Sequence, residues 1–170
     1  SASTTLSALY DEYFEASLAL HPTSATYIGD HRYDDRFENP ADPAFEAQVR
    51  DLETRYLALV RSVDVSGLST ADRISHDIFV AERSRALEGQ KFPDRLLPLD
   101  QMNSLASEFA LLASGTGAQP FLTAQDYERF LGRSRDFVRW ADAAVVAFRE
   151  GAARGVVHPP PPSQPGGQRR

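Results

Sequence analysis

The stretch that decides the fold lies near the end of the chain, where residues 123–150 read TAQDYERFLGRSRDFVRWADAAVVAFRE. Apolar side chains recur there at the period of an α-helix that buries one face, over about six turns. Thr123 followed by Asp126 resembles a capping box at the helix start, and Gly151 and Gly155 are expected to end the helix. The positions that define the face are Tyr127, Phe130, Leu131, Ser134, Phe137, Val138, Ala141, Ala144, Val145 and Phe148. Trp140 falls beside the centre of this face, so we expect it at a boundary or an interface.

The preceding sequence repeats the helical pattern in shorter segments. A first helix carries Leu6 to Leu18, and Pro22 closes it and opens a short second helix that reaches Tyr27. Asp42 and Ser69 suit the first position of two further helices, the second of which carries Ile74, Ile78 and Ala81. A shorter helix surrounds Phe109. The predicted helix ends are Gly29, Gly67, Gly89 and Gly115.

These patterns define the fold class. No segment combines strict alternation with β-branched residues and hairpin turns, so the prediction is an all-α protein, an irregular bundle of about five to six helices. One folded region is expected over residues 1–158. Residues 159–170 are rich in Pro, Gly, Gln and Arg and contain no apolar side chain to bury, which is typical of a disordered tail.

Composition excludes several classes of function. The absence of cysteine removes disulfides and thiolate chemistry, and a net charge of −6 has the wrong sign for binding nucleic acid. No apolar run approaches the roughly 20 residues that span a bilayer. The compartment stays open, although a start at Ser1 is compatible with the removal of an export signal from a bacterial protein.

A search for catalytic motifs finds none that is complete. Zinc peptidases need two histidines one helical turn apart with a glutamate beside the first, and no histidine here has that spacing. His76 and Asp77 are neighbours within a predicted helix, so their side chains are expected to point apart and not to act together. We therefore predict no catalytic residue, metal ligand or cofactor in this chain. The four histidines are His21, His31, His76 and His158.

The densest group of polar side chains is the loop that follows Gly29. In one interpretation its aspartates cap backbone donors and its arginines pair with carboxylates, which locks the loop. In another the same side chains line a substrate cleft, and in a third they bind a metal ion. The candidate cleft-lining or loop-locking residues are Asp30, His31, Arg32, Tyr33, Asp34 and Arg36.

Four collinear stretches carry a family resemblance: LHPTSATYIGDHRYDDRF at residues 20–37, LPLDQM at 97–102, PFLT with YERF between 120 and 130, and REGAARGVVHP at 149–159. Together they resemble the N-terminal region of the bacterial family catalogued as domain of unknown function 885. The resemblance implies a helical protein similar to zincin-type metallopeptidases, whose His-Glu-x-x-His helix lies well downstream. Zinc is therefore expected in the full-length relative and not in this chain.

On this resemblance, the chain is expected to form a wall or lid of the substrate cleft of a zinc-dependent peptidase or hydrolase, inactive without the missing downstream catalytic region. Uncovered apolar surface is then expected to cause self-association through the 123–150 helix, with Phe137, Val138, Val145 and Phe148 near the contact. The alternative is a self-sufficient helical module that binds a partner helix or peptide. A small-molecule-binding bundle would require a closed apolar pocket.

Overall fold

The computed structural model describes residues 1–99 and 104–158, and it confirms the all-α prediction: these residues form six α-helices and no strand. Two short 3-10 turns, His31–Tyr33 and Asp94–Leu96, lie in the connections. The predicted tail, 159–170, lies outside the described residues. In chain order the helices are α1 Ala2–Leu20, α2 Pro22–Tyr27, α3 Pro43–Arg61, α4 Thr70–Gly89, α5 Leu105–Ala113 and α6 Ala124–Ala153.

The helix starts follow the local chemistry that the sequence indicated. The Asp42 side chain accepts from the Ala44 backbone N–H, and the Ser69 hydroxyl accepts from the Asp72 N–H. At the start of α6, Thr123 and Asp126 each accept from the other's backbone, which is a full capping box. Because these bonds satisfy donors that the first helical turn leaves free, they fix where the helices begin.

The predicted end of α3 was wrong, and of the two glycines predicted to end α6 only Gly155 does so. α3 stops at Arg61 and not near Gly67, because the Asp64 carboxylate accepts from the backbone N–H and hydroxyl of Ser66 and so stabilises a turn instead. α6 runs past Gly151 to Ala153, and Gly155, with φ of 73°, takes the left-handed conformation after it. Gly151 is a buried residue in the last turn of α6.

One side of the molecule is built by α1, α3 and α4, with α3 packed against the other two. Tyr13 of α1 contacts Tyr56 of α3 and Phe79 of α4 edge to face, with ring centroids 5.6 and 5.1 Å apart. The Tyr13 hydroxyl donates to the buried Glu53 carboxylate at 2.7 Å, and Arg83 forms an ion pair with the same carboxylate. Burial is the largest cause, and this hydrogen bond the second largest, that raises the pKa of Tyr13 to about 12.

The other side is an apolar cluster on α6. Phe37 and Ala41, which follow the polar loop, pack against Trp140, Ala144 and Ala147. Trp140 is 3% exposed, so its predicted place at a boundary was wrong. The indole is buried because the Phe37 ring packs against it edge to face, with the centroids of the two rings 6.3 Å apart.

The buried face of α6 is therefore rotated from the predicted one. Phe137 lies inside, stacked on Phe109 of α5 at 4.0 Å, so it is not available for a contact between molecules. The predicted positions that turn outward instead, each at least half exposed, are Tyr127, Leu131, Val138 and Val145. Ile74 and Ile78 of α4 are exposed as well, because α4 faces α1 and α3 with the side that carries Phe79.

No described helix is both long and apolar enough to cross a membrane.

Gly151 provides a test of this packing. A Cβ at Gly151 would lie 2.9 Å from the Val156 carbonyl oxygen and 3.0 Å from that of Leu96, and neither backbone atom can rotate away. We expect Gly151→Ala to lower the free energy of unfolding by about 1–3 kcal/mol in urea denaturation, because overpacking outweighs the helix propensity of alanine.

Gly89→Ala is the matched control. Gly89 is also helical, but a Cβ there would meet no atom within 4 Å. That variant should be unchanged or more stable by up to about 1 kcal/mol. Equal effects of the two substitutions would contradict the close approach at Gly151.

Candidate functional site

The loop of candidate residues begins directly after α2, where Gly29 has φ of 85° and turns the chain. The Asp30 carboxylate accepts from the backbone N–H of Arg32 at 3.1 Å and from its guanidinium at 2.6 Å. Arg32 also reaches Glu15 of α1 at 2.8 Å. The hydrogen bonds from Arg32 hold the pKa of Asp30 below its ordinary value. Asp30 and Arg32 thus tie the loop to itself and to α1.

A fully buried arginine on α6, Arg133, holds the rest of the loop in place. Its guanidinium donates to the Arg36 carbonyl at 2.7 Å, to the Tyr33 carbonyl at 3.0 Å and to the side chain of Gln119. The remaining acceptors of the guanidinium belong to α2: the Pro22 carbonyl at 3.3 Å and the Thr26 hydroxyl at 2.7 Å.

Burial lowers the pKa of Arg133, and the nearby Asp34 carboxylate opposes that shift.

Asp34 is as deeply buried as Arg133, at 0% exposure. Its Oδ1 accepts from the Thr26 hydroxyl at 2.7 Å, and its Oδ2 lies 2.9 Å from Nδ1 of His31. Because Thr26 accepts from Arg133 and donates to Asp34, its hydroxyl links the two buried charges, which are 3.9 Å apart at their nearest atoms. Among the described residues the partners of Asp34 are side chains, whereas one interpretation of the sequence had it cap backbone donors.

His31 is the outer end of this chain of bonds. Its side chain is 46% exposed, and its backbone carbonyl accepts from Arg129 of α6 at 3.0 Å. A carboxylate accepts hydrogen bonds, so Nδ1 of His31 carries the proton, and Nε2 is the ring atom without a partner in the part of the chain that the structure describes. A histidine held through Nδ1 by a buried carboxylate is oriented for contact at Nε2.

Tyr33 and Arg36 complete the exposed surface of the loop. The guanidinium groups of Arg32 and Arg36 lie over the Tyr33 ring, 5.4 and 5.2 Å from its centroid. Among the described residues, Arg36 has one carboxylate nearby, that of Asp35 at 3.9 Å, and both side chains are more than half exposed. The guanidinium of Arg36 is thus open to an anionic group.

Five of the six predicted residues therefore have at least part of their side chains at the surface of the loop, and Asp34 lies beneath them. Three further residues hold the loop from below and were not predicted from the sequence: Arg133, Thr26 and Gln119. The signal for Arg133 was its spacing: it precedes Phe137 by four residues and Trp140 by seven, and so lies on the same face of α6.

The adjacent pair on α4 also differs from expectation. Nδ1 of His76 lies 2.9 Å from Oδ1 of Asp77, so the two side chains do contact each other. Although neighbouring residues diverge by about 100° around a helix, the imidazole is long enough to swing toward the short carboxylate. The side chain of His76 is only 13% exposed, while that of Asp77 is 70% exposed.

A separate open pocket of about 370 Å³ lies between α3, the end of α4 and the segment after it. Its walls are mostly apolar, and they include Phe45, Val49 and Leu97. Arg95 lies at one side, where it forms ion pairs with Glu46 at 3.6 Å and Glu150 at 2.8 Å. None of the six loop residues lines it, so the pocket and the loop are distinct features.

Within residues 1–99 and 104–158, no group of three or more His, Cys, Asp or Glu side chains is placed to hold a metal ion.

Arg133→Met should unfold the site. The substitution keeps much of the volume but leaves Asp34 as a buried carboxylate without its cation, so we expect a loss of about 3–5 kcal/mol in the free energy of unfolding. Arg139→Met, on the same helix but 75% exposed, should change it by less than about 0.5 kcal/mol. Similar urea midpoints for the two variants would show that the buried network contributes little.

The comparisons with known proteins place this chain in a family. The model of the family described as "Bacterial protein of unknown function (DUF885)" matches residues 22–164, which include the loop, Arg133 and the whole of α6. No curated protein and no solved structure shows significant similarity to the chain. Because the match covers well over half of the sequence, the protein belongs to the bacterial family DUF885, whose function is unknown.

Proposed function

We propose that this chain forms a wall or lid of the substrate cleft of a zinc-dependent peptidase or related hydrolase, with the Asp30–Arg36 loop facing the substrate. The zinc-binding helix would be supplied by a region outside this sequence, as the resemblance to zincin-type proteins implies. The described residues do not themselves form a zinc site, so we assign them no step that involves a metal. On this proposal the isolated chain is inactive.

The observation that carries the proposal is the way His31 is held. A solvent-exposed imidazole bonds through Nδ1 to a carboxylate with no exposure of its own, and that carboxylate is supported by Thr26 and Arg133. A loop that only needed locking would not require a fixed ring at its surface. Groups that contact substrates are held in this way, by partners that set the tautomer and the direction of the ring.

The chemistry of the loop suits a peptide. The free Nε2 of neutral His31 accepts a hydrogen bond from a peptide N–H, and when protonated it donates one to a carbonyl. Arg36 adds an exposed guanidinium whose geometry matches a carboxylate. A peptide chain that ends in a free carboxylate near Arg36 would satisfy both groups.

The second candidate function is a self-sufficient module that binds a partner helix or peptide through an apolar surface. The exposed apolar side chains on α6 and α4 favour it, among them Leu131, Val138 and Ile78. The two functions use different surfaces, because the loop contacts α6 through Arg129, Gly132 and Arg133. A ligand can therefore be assigned to one or the other by the residues it perturbs.

The test is binding of a short peptide with a free carboxylate, tetra-alanine, followed by NMR of the histidine rings and the backbone amides. We expect shifts at His31, Tyr33 and Arg36, and His31→Gln should weaken binding by roughly tenfold, the value of one lost hydrogen bond.

His76→Gln is the matched control, because His76 also bonds through Nδ1 to an aspartate but lies on α4. This variant should bind the peptide like the unchanged chain. Shifts confined to residues such as Ile78 or Val138 would favour the interaction module, and no shift at millimolar peptide would contradict the cleft role of the loop.

A further inference from the structure

One face of α6 has the pattern of a helix-pairing seam. Leu131, Val138 and Val145 follow one another every seven residues and are 58%, 57% and 50% exposed. Tyr127, which is exposed, and the half-buried Ser134, Ala141 and Phe148 alternate with them, so that spacings of four and three residues repeat along the helix. This seven-residue repeat is the one with which helices pair side by side. We call these seven residues the α6 ridge.

Four charged side chains run along one edge of the α6 ridge. Glu128, Arg135, Asp142 and Arg149 are also seven residues apart, all are exposed, and their charges alternate in sign. None of the four has an ion-pair partner among the described residues. Two of the other acidic groups along this part of α6 do have one: Asp136 pairs with Arg139, and Glu150 pairs with Arg95 and Arg154.

We propose that the α6 ridge pairs with the same ridge of a second copy of the chain, with the two helices antiparallel. Leu131 of one copy then lies opposite Phe148 of the other, and Val138 lies opposite Ala141. In this register Arg135 meets Asp142 and Glu128 meets Arg149, so every charge along the edge faces one of opposite sign. A twofold axis repeats each of these contacts, as a symmetric dimer requires.

A parallel arrangement does not give this match. In a parallel pair, each of these four charges faces the other edge of the partner's ridge, not the edge that carries the charges. That edge carries Phe130, Phe137 and Ala144, which are partly or fully buried within their own chain. The four charges would remain unpaired. The antiparallel register is therefore the one in which the repeat of charges is complementary to itself.

The cost of pairing is small because α6 is already folded. Isolated helices must order their backbone when they pair, whereas α6 is held by Phe37, Phe109 and the buried Arg133 before any contact forms. The ridge also lies on the opposite side of α6 from the Asp30–Arg36 loop, which contacts Arg129 and Gly132. A dimer of this kind therefore leaves the proposed substrate loop open.

Analytical ultracentrifugation of the full chain over about a hundredfold range of concentration tests the pairing. We expect a monomer–dimer equilibrium, and Val138→Asp should raise its dissociation constant by more than about tenfold, because it buries an unpaired carboxylate. Val146→Asp is the control, since Val146 is 62% exposed but lies off the ridge. Circular dichroism confirms that both variants fold. A chain that is monomeric throughout this range would overturn the proposal.

Charge exchange tests the register itself. Arg135→Glu and Asp142→Arg should each weaken the dimer, because each places like charges opposite each other twice. An equimolar mixture of the two variants should restore it. In the heterodimer the glutamate introduced at position 135 faces the arginine introduced at position 142, and the unchanged Asp142 of the first variant faces the unchanged Arg135 of the second.

A dimer that neither substitution weakens, or that the mixture does not restore, would overturn the antiparallel pairing. Peptide binding at His31 should be the same in all of these variants, so failure here is separate from failure of the proposed function.

Discussion

The buried guanidinium of Arg133 is the constraint on which the rest of the loop depends. A cation with no exposed surface is stable only when its donors are satisfied, and Arg133 takes acceptors from α2, from the loop and from Gln119. The planar fork of arginine fits that arrangement, which the single ammonium of lysine does not. Because two of the acceptors are the Tyr33 and Arg36 carbonyls, the path of the loop backbone is fixed by a side chain on another element.

α6 is the common support of the structure because its sides make different contacts. The side with Arg129 and Gly132 receives the loop, and a Cβ at Gly132 would lie only 3.0 Å from the Asp35 carbonyl oxygen. The next side, with Trp140 and Ala144, builds the apolar cluster. Of the α6 ridge, Leu131, Val138 and Val145 face outward, while Ser134, Ala141 and Phe148 are half-buried and Ala141 packs against that cluster. The long apolar pattern in the sequence is thus two adjacent faces of one helix, and the second of them is only partly covered within the chain.

Local chemistry could be predicted from the sequence, and long-range packing could not. The starts of α3, α4 and α6 depend on residues within three positions of each other, such as Thr123 and Asp126, so the sequence pattern alone located them. The burial of Trp140 depends on Phe37, about a hundred residues earlier in the chain. The helical period locates apolar residues around α6 but does not say which side the rest of the molecule covers. For the same reason the loop could be recognised, while its hidden partners were not: spacing places Arg133 on the buried face of α6 but does not say which acceptors its guanidinium meets.

Electrostatics and apolar contact have separate effects at the α6 ridge. Each chain carries a net charge of −6, so two copies repel one another at long range, although salt screens that repulsion beyond about 8 Å. The edge of the ridge is neutral in sum, with two acidic and two basic side chains, and it therefore adds nothing to the repulsion. Exposed ion pairs contribute little affinity but strongly disfavour mismatched neighbours. The buried area of Leu131, Val138 and Val145 accordingly sets how tightly two copies bind, and the four charges set their direction and register.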